Sequence, residues 1–353
     1  MAGSQINQQE LLGELLRATS RSFYLTLRVL PAAVRPQIGL AYLLARTTDT
    51  IADTEIVPSA LRLDALHKLR ERILGQNSVP LNFGELAQNQ SSPAEKLLLE
   101  KTEDSLALLQ TLSPADLKLV REVLTTITSG QELDLRRFGG SAMGNQPAGK
   151  IIPLETAVEL DDYTYRVAGC VGEFWTKICR AHLFPKAKLN EKQFIIDGIR
   201  FGKGLQLVNI LRDLPADLKK GRCYLPAQRL DEAGLFPETL LSPVNAEKFL
   251  PFYHGYLDKA ESHLRAGWNY TNNLPIGQFR VRLACAWPIL LGMKTIEKLR
   301  AAGVIELQQR VKVSRGEVRG IILRSILACP LPGVWRNQLP AGRKAVASGQ
   351  ELA

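Results

Sequence analysis

Apolar residues recur at three- and four-residue steps through most of the chain. That spacing lines them along one helical face and predicts helices over residues 9–18, 36–53, 59–74, 94–112, 114–135, 154–181, 191–214, 245–273 and 280–302. Pro36 and Pro114 stand at two of the predicted starts, where a missing N–H costs little. No run of alternating apolar and polar residues bounded by turn signals predicts a strand. Residues 75–90, 139–153 and 219–226 are read as loops from their Gly, Pro and Asn content or their position after an Asp-rich segment. No internal repeat occurs and no linker forces a boundary, so a single all-α domain is expected over residues 1–330. Residues 331–353 carry prolines, glycines and small residues with little periodicity and are expected to form a mobile tail.

The 353 residues are 45% hydrophobic, enough for a large core, and carry a formal net charge of +10. A basic surplus attracts nucleic acid, acidic membrane or phosphorylated small molecules. A nucleic-acid binder would gather its cations on one face, whereas here Lys and Arg are spread along the chain, so no nucleic-acid partner is expected. The five cysteines form no C-x-x-C pair and the four histidines are scattered, which argues against zinc and for a reducing compartment. The first ten residues are polar and unlike a signal peptide. The longest apolar stretch, 283–293, falls short of the roughly 20 residues that span a bilayer. A cytoplasmic protein is expected, with peripheral contact at the inner membrane face left open.

Two carboxylate pairs stand out against this background. Asp49 and Asp53 stand four apart, on one face of a helix and near its C-terminal end. The macrodipole disfavours anions there, and the two charges repel each other, so a hard divalent cation suits the pair. The bland alternative is a solvated acidic face with Arg46 as a surface partner. Asp213 and Asp217 repeat the spacing, and Gln206, Asn209 and Asp213 form a polar stripe on an otherwise apolar helix. A buried polar stripe is costly unless a ligand satisfies it. Asp49, Asp53, Asn209, Asp213 and Asp217 are therefore the candidate Mg2+ ligands. Arg21, Arg46, Arg212 and Arg222 are candidate phosphate partners, because guanidinium matches phosphate with a two-pronged fork. Pro215 removes the helical hydrogen bond to Leu211, so Asp217 is expected off the helix.

Four segments, in order, resemble the squalene and phytoene synthase family. They are Ser20-Arg21-Ser22-Phe23-Tyr24; Leu44 to Asp53, with the first aspartate pair; Tyr163 to Gly172, which matches Y-x-x-x-V-A-G-x-V-G; and Gln206 to Asp217 with its Gly221-Arg222-Cys223-Tyr224-Leu225-Pro226 follow-on. The chain departs from the family pattern at Ala216, where an acidic residue is usual. The resemblance implies an isoprenoid-synthase helical bundle with a central cavity, Mg2+ between facing aspartate motifs, and head-to-head coupling of two prenyl diphosphates. It implies catalytic roles for Tyr163, Asp49 and Asp213. It adds Ser22, Phe23, Tyr42, Val167 and Gln206 to the substrate-binding set. Asp49 to Asp53 and Gln131 to Phe138 look nearer the squalene synthases of the family, which use NADPH after presqualene diphosphate. Lys203, Lys312 and Arg315 are then candidate partners for the NADPH phosphates. Phytoene or dehydrosqualene formation, without reduction, is the alternative. A helical assembly factor of the same family is a non-enzymatic one, disfavoured by the complete aspartate set.

Overall fold

The computed structural model describes residues 8–20, 23–139, 150–309 and 311–339. Its framework is a set of long helices: Arg35–Asp53, Ser59–Leu74, Pro114–Phe138, Cys170–Leu183, Glu191–Lys219, Ala246–Asn273 and Phe279–Ala301. Each turns leucines, isoleucines or aromatics inward, as the three- and four-residue spacing requires. One core cluster is built around Leu40, Leu44, Leu66, Val120, Leu124 and Ile178. A second gathers Leu207, Leu211, Leu214, Tyr253, Leu257 and Ile289. The expected 94–112 helix is broken at Lys101 into Pro93–Glu100 and Thr102–Leu109.

Two helices approach backbone to backbone. A Cβ added at Gly172 would lie 1.9 Å from the Gly198 carbonyl oxygen, and one at Gly202 would lie 2.1 Å from that of Ala168. Absence of side chains at these crossings lets Cys170–Leu183 sit directly on Glu191–Lys219. Before this contact the chain makes a π-helical turn, Tyr165–Gly169, within the helix expected over 154–181. Such wide turns are frequent at functional positions.

Ile152–Leu154 (β1) and Arg222–Pro226 (β2) pair in parallel, with Ile152 opposite Arg222 and Pro153 opposite Cys223. The expectation of no strand is corrected here. The pairing is too short to alternate, and β2 is buried from Cys223 to Pro226 without a polar face. The tail expectation also changes for residues 331–339. Pro332–Arg336 is helical, and Trp335 is fully buried, stacked on Trp268 at 5.4 Å. One large aromatic seated in the core anchors a segment that has no periodicity to announce it. Residues 340–353 lie outside the described residues.

A third correction concerns Asp217. The helix runs through Pro215 to Lys219, so Asp217 stays on it. Pro215 has no N–H for the Leu211 carbonyl, but the Tyr253 hydroxyl donates to that oxygen at 3.0 Å. A side chain from a neighbouring helix thus replaces the missing backbone bond. Tyr253→Phe should orphan the buried carbonyl and lower stability by about 1–3 kcal/mol in thermal or urea denaturation. An unchanged midpoint would show that the helix holds Asp217 without this bond.

Candidate active site

One cavity of about 790 Å³ receives both aspartate pairs. Along the Glu191–Lys219 helix, Gly198, Phe201, Gly202, Leu205, Gln206, Asn209, Asp213 and Asp217 all line it. At 1.5 Å per residue that wall is about 28 Å long. Its chemistry passes from small and apolar at Gly198 to amide at Gln206 and Asn209, then to carboxylate. The Arg35–Asp53 helix supplies Tyr42, Ala45, Arg46, Asp49 and Asp53 from steps of three and four. Helix Pro114–Phe138 adds Ile127, Gln131, Asp134 and Leu135, and the π turn adds Val167 and Ala168. Phe23 stacks on Tyr42 with ring centroids 5.4 Å apart.

Among the described residues, five aspartates line this cavity: Asp49, Asp53, Asp134, Asp213 and Asp217. Four cations, Arg46, Arg212, Lys220 and Arg222, line it with them. All four are bound to carboxylates. Arg46 bonds Asp49 and, at 2.5 Å, Glu95. Arg212 grips Asp213 with a fork at 2.5 and 3.0 Å. Arg222 and Lys220 both hold Glu55, at 2.9 and 3.0 Å. Carboxylates therefore exceed cations. Burial pushes the Asp49 carboxyl up to about 7, reinforced by repulsion from Asp53 and opposed by Arg46. Its side chain is 42% accessible, because the carboxyl lies deep in the protein yet opens onto the cavity. Burial also lifts Asp217 to about 7, against the pull of Arg222, and raises Asp53 against the same arginine.

This surplus of lifted carboxylates is what a divalent cation would relieve. No three His, Cys, Asp or Glu side chains among the described residues converge into a ready metal cage. Two carboxylate pairs on one cavity fit Mg2+, which keeps several waters and is held by only one or two carboxylates. The donor set, carboxylates with the amides of Gln206 and Asn209, is of the oxygen type that Mg2+ prefers.

Tyr163 lines the cavity and stacks on Tyr224 at 4.7 Å. The Tyr224 hydroxyl donates to Asp134 at 2.7 Å. Burial lifts Asp134 to about 6 against the lowering effect of that bond. Burial, with Asp134 nearby, drives the Tyr163 phenol well above its usual value, so it is protonated at neutral pH. Asp134, Gln131 and Tyr224 were not among the expected site residues. Their signal was in the Gln131–Phe138 and Gly221–Pro226 segments, which resembled the family without suggesting roles. Glu95 and Glu55, which tie down the arginines, left no motif at all.

Most expected residues meet at this cavity: Phe23, Tyr42, Arg46, Asp49, Asp53, Tyr163, Val167, Gln206, Asn209, Arg212, Asp213, Asp217 and Arg222. Arg21 and Ser22 lie outside the described residues. The three expected NADPH contacts do not line the cavity. Lys203 is paired with Asp161 at 2.7 Å and sits over the Tyr165 ring. Lys312 accepts a bond from Lys298 through its backbone carbonyl, and Arg315 opens the helix Arg315–Ala328. A second cleft, of about 880 Å³, lies between Glu261 and Arg324. Its Arg265, Lys294 and Arg300 are paired with carboxylates, and it contains none of the expected residues.

The squalene/phytoene synthase family model matches residues 16–317. A bifunctional lycopene cyclase/phytoene synthase of Colletotrichum graminicola is 30% identical over 271 residues, 74% of this chain and 42% of that protein. This chain thus spans less than half the length of that relative. The squalene synthase of Saccharomyces cerevisiae is 25% identical over 88% of this chain and 66% of its own length. The presqualene diphosphate synthase of Sinorhizobium fredii is 31% identical over 66% of this chain and 68% of its own length. Among solved structures, TcSQS with the ligand E5700 superposes with a TM-score of 0.73 at 20% identity, covering 91% of this chain and 86% of that one. At that identity the likeness concerns the fold, which is the all-α isoprenoid-synthase bundle. The family match over residues 16–317 agrees with the two aspartate pairs facing one cavity: the chain belongs to the squalene/phytoene synthase family.

Proposed function

We propose that the chain joins two farnesyl diphosphates head to head, through presqualene diphosphate, and that squalene is the product when NADPH supplies hydride. The observation that carries this reading is the helical wall from Gly198 to Asp217, apolar at one end and acidic at the other. An oily chain capped by a diphosphate matches that gradient. Asp49, Asp53, Asn209, Asp213 and Asp217 are the proposed Mg2+ ligands. Bound there, the ion would stabilise the charge that develops on a departing diphosphate.

The protein's own groups divide the remaining work. Arg46, Arg212 and Arg222 stand at the acidic end and would exchange part of their carboxylate bonding for phosphate oxygens, which suit the guanidinium fork. Arg21 and Ser22 are assigned to the same task from their motif alone. Tyr163, held protonated, serves as a hydrogen-bond donor and not as a base at neutral pH. Its π face can also stabilise a carbocation. Phe201, Leu205, Tyr270, Ala284 and Pro288 wall the apolar end and exclude water that would quench such a cation.

One observation favours a second reading, in which no reduction follows coupling. Lys203, Lys312 and Arg315 all lie off the cavity lining, so the residues expected to hold NADPH are not gathered at the site. Presqualene diphosphate, dehydrosqualene or, from a longer substrate, phytoene would then be the product. This reading also suits the relatives named for presqualene diphosphate and phytoene synthesis.

Incubation with farnesyl or geranylgeranyl diphosphate and magnesium, with and without NADPH, separates these outcomes. Squalene is expected with NADPH, and the cyclopropyl diphosphate or its solvolysis and elimination products without it. A conjugated triene formed equally in both would assign dehydrosqualene synthesis. Reaction of the geranylgeranyl substrate alone would assign phytoene synthesis, and no product from either would overturn the coupling itself. Asp49→Asn and Asp213→Asn should each cut turnover by about a hundredfold or more while leaving the helical circular-dichroism signal intact. Near-normal rates in both would contradict the metal assignment. Tyr163→Phe keeps the ring and removes one oxygen. A large loss of rate at unchanged thermal stability is expected, and a fully active, equally stable variant would confine Tyr163 to packing.

A further inference from the structure

The helix Arg315–Ala328 turns its bulk outward. Ile321, Ser325 and Ala328 face the protein, and Ser325 accepts from the Trp287 ring N–H at 2.8 Å. Leu323, Ile326 and Leu327 face away, 59%, 46% and 63% exposed. Leu331 and Val334, just beyond the helix in sequence, are 53% and 54% exposed. Trp335 keeps this segment docked, buried against Trp268 with the Arg282 guanidinium 4.9 Å from its ring. Single exposed leucines are ordinary, but five large apolar residues within one short segment mark a surface that meets something.

The charges say what it meets. At 100° per residue, Arg315 and Arg319 fall on one side of the line through Leu323 and Leu327, and Arg324 falls on the other. All three arginines are exposed, as is Arg336 beyond the helix. The helix has one acidic residue, Glu317, and it is engaged by the Ser314 capping box and by Lys298 at 2.7 Å. A second copy of this chain on the same face would set arginines against arginines. An anionic bilayer surface matches instead: leucines enter the headgroup boundary while arginine stems reach back to lipid phosphates. No helix among the described residues is long and apolar enough to cross a membrane.

We infer that the outward face formed by Leu323, Ile326, Leu327, Leu331 and Val334, bordered by Arg319 and Arg324, docks the protein on an anionic lipid surface. The docking does not depend on the reaction proposed above, and its test needs no substrate. The full chain is floated with phosphatidylcholine vesicles and with vesicles containing about 30% phosphatidylglycerol. Binding is expected to the anionic vesicles only, and to fall when salt is raised to about 0.5 M. Leu323→Gln with Leu327→Gln, and separately Arg319→Gln with Arg324→Gln, should each lower partitioning by about tenfold or more. Helical circular dichroism should be unchanged in both. Should the leucine pair disturb folding, the arginine pair carries the test alone. Failure of the protein to float with anionic vesicles, or unaltered flotation of the arginine variant, would overturn the inference. So would a concentration-dependent dimer that Leu323→Gln with Leu327→Gln dissolves, since a second copy would then cover the face.

Discussion

Gathering carboxylates around one deep cavity is the constraint on which the rest of the site depends. Asp49, Asp53, Asp134, Asp213 and Asp217 share its lining, while Glu55 and Glu95 already hold Arg222, Lys220 and Arg46. Both aspartate pairs also sit near helix C-termini, at Asp53 and Lys219, where the partial negative charge of the helix end adds to the repulsion. Burial lifts Asp49 and Asp217 to about 7, well above the usual carboxylate range. The proposed divalent cation, held with a diphosphate, would resolve this conflict by supplying charge to the aspartates and to the anion at once.

The fold is arranged to keep that conflict in place. Gly172 and Gly202 let the two helices at the back of the cavity touch through their backbones, which fixes the long wall from Gly198 to Asp217. Tyr253 supplies the hydrogen bond that Pro215 removes, so the acidic end stays helical up to Lys219. The short β1–β2 pair brings Arg222 and Tyr224 to the lining. Through Tyr224, Asp134 is tied to the ring against which Tyr163 stacks.

The helices and both aspartate pairs were legible because helical spacing is local: Asp49 and Asp53, or Gln206, Asn209 and Asp213, declare a shared face within a few residues. The continuity through Pro215 was not, because its compensation comes from Tyr253, 42 residues beyond Leu211 in sequence. The strand pair escaped for a similar reason, since β1 finds its partner only after the whole of the intervening helical segment. Trp335 gave no periodic signal, yet one buried ring sufficed to order the segment around it. Asp134 lay in a segment that resembled the family, but only its place beside Tyr224 and Arg222 makes it part of the site. Lys203 shows the converse: a cation promising in sequence is taken up by Asp161.

Magnesium is proposed to join the aspartate pairs to a diphosphate. The most direct measurement is calorimetric titration with a non-ionising thio analogue of farnesyl diphosphate, with and without Mg2+. Magnesium should tighten binding by about tenfold or more, and that gain should vanish when Asp49 and Asp213 are both replaced by Asn. Equal affinity with and without the ion, or a gain that survives in the double variant, would contradict the claim.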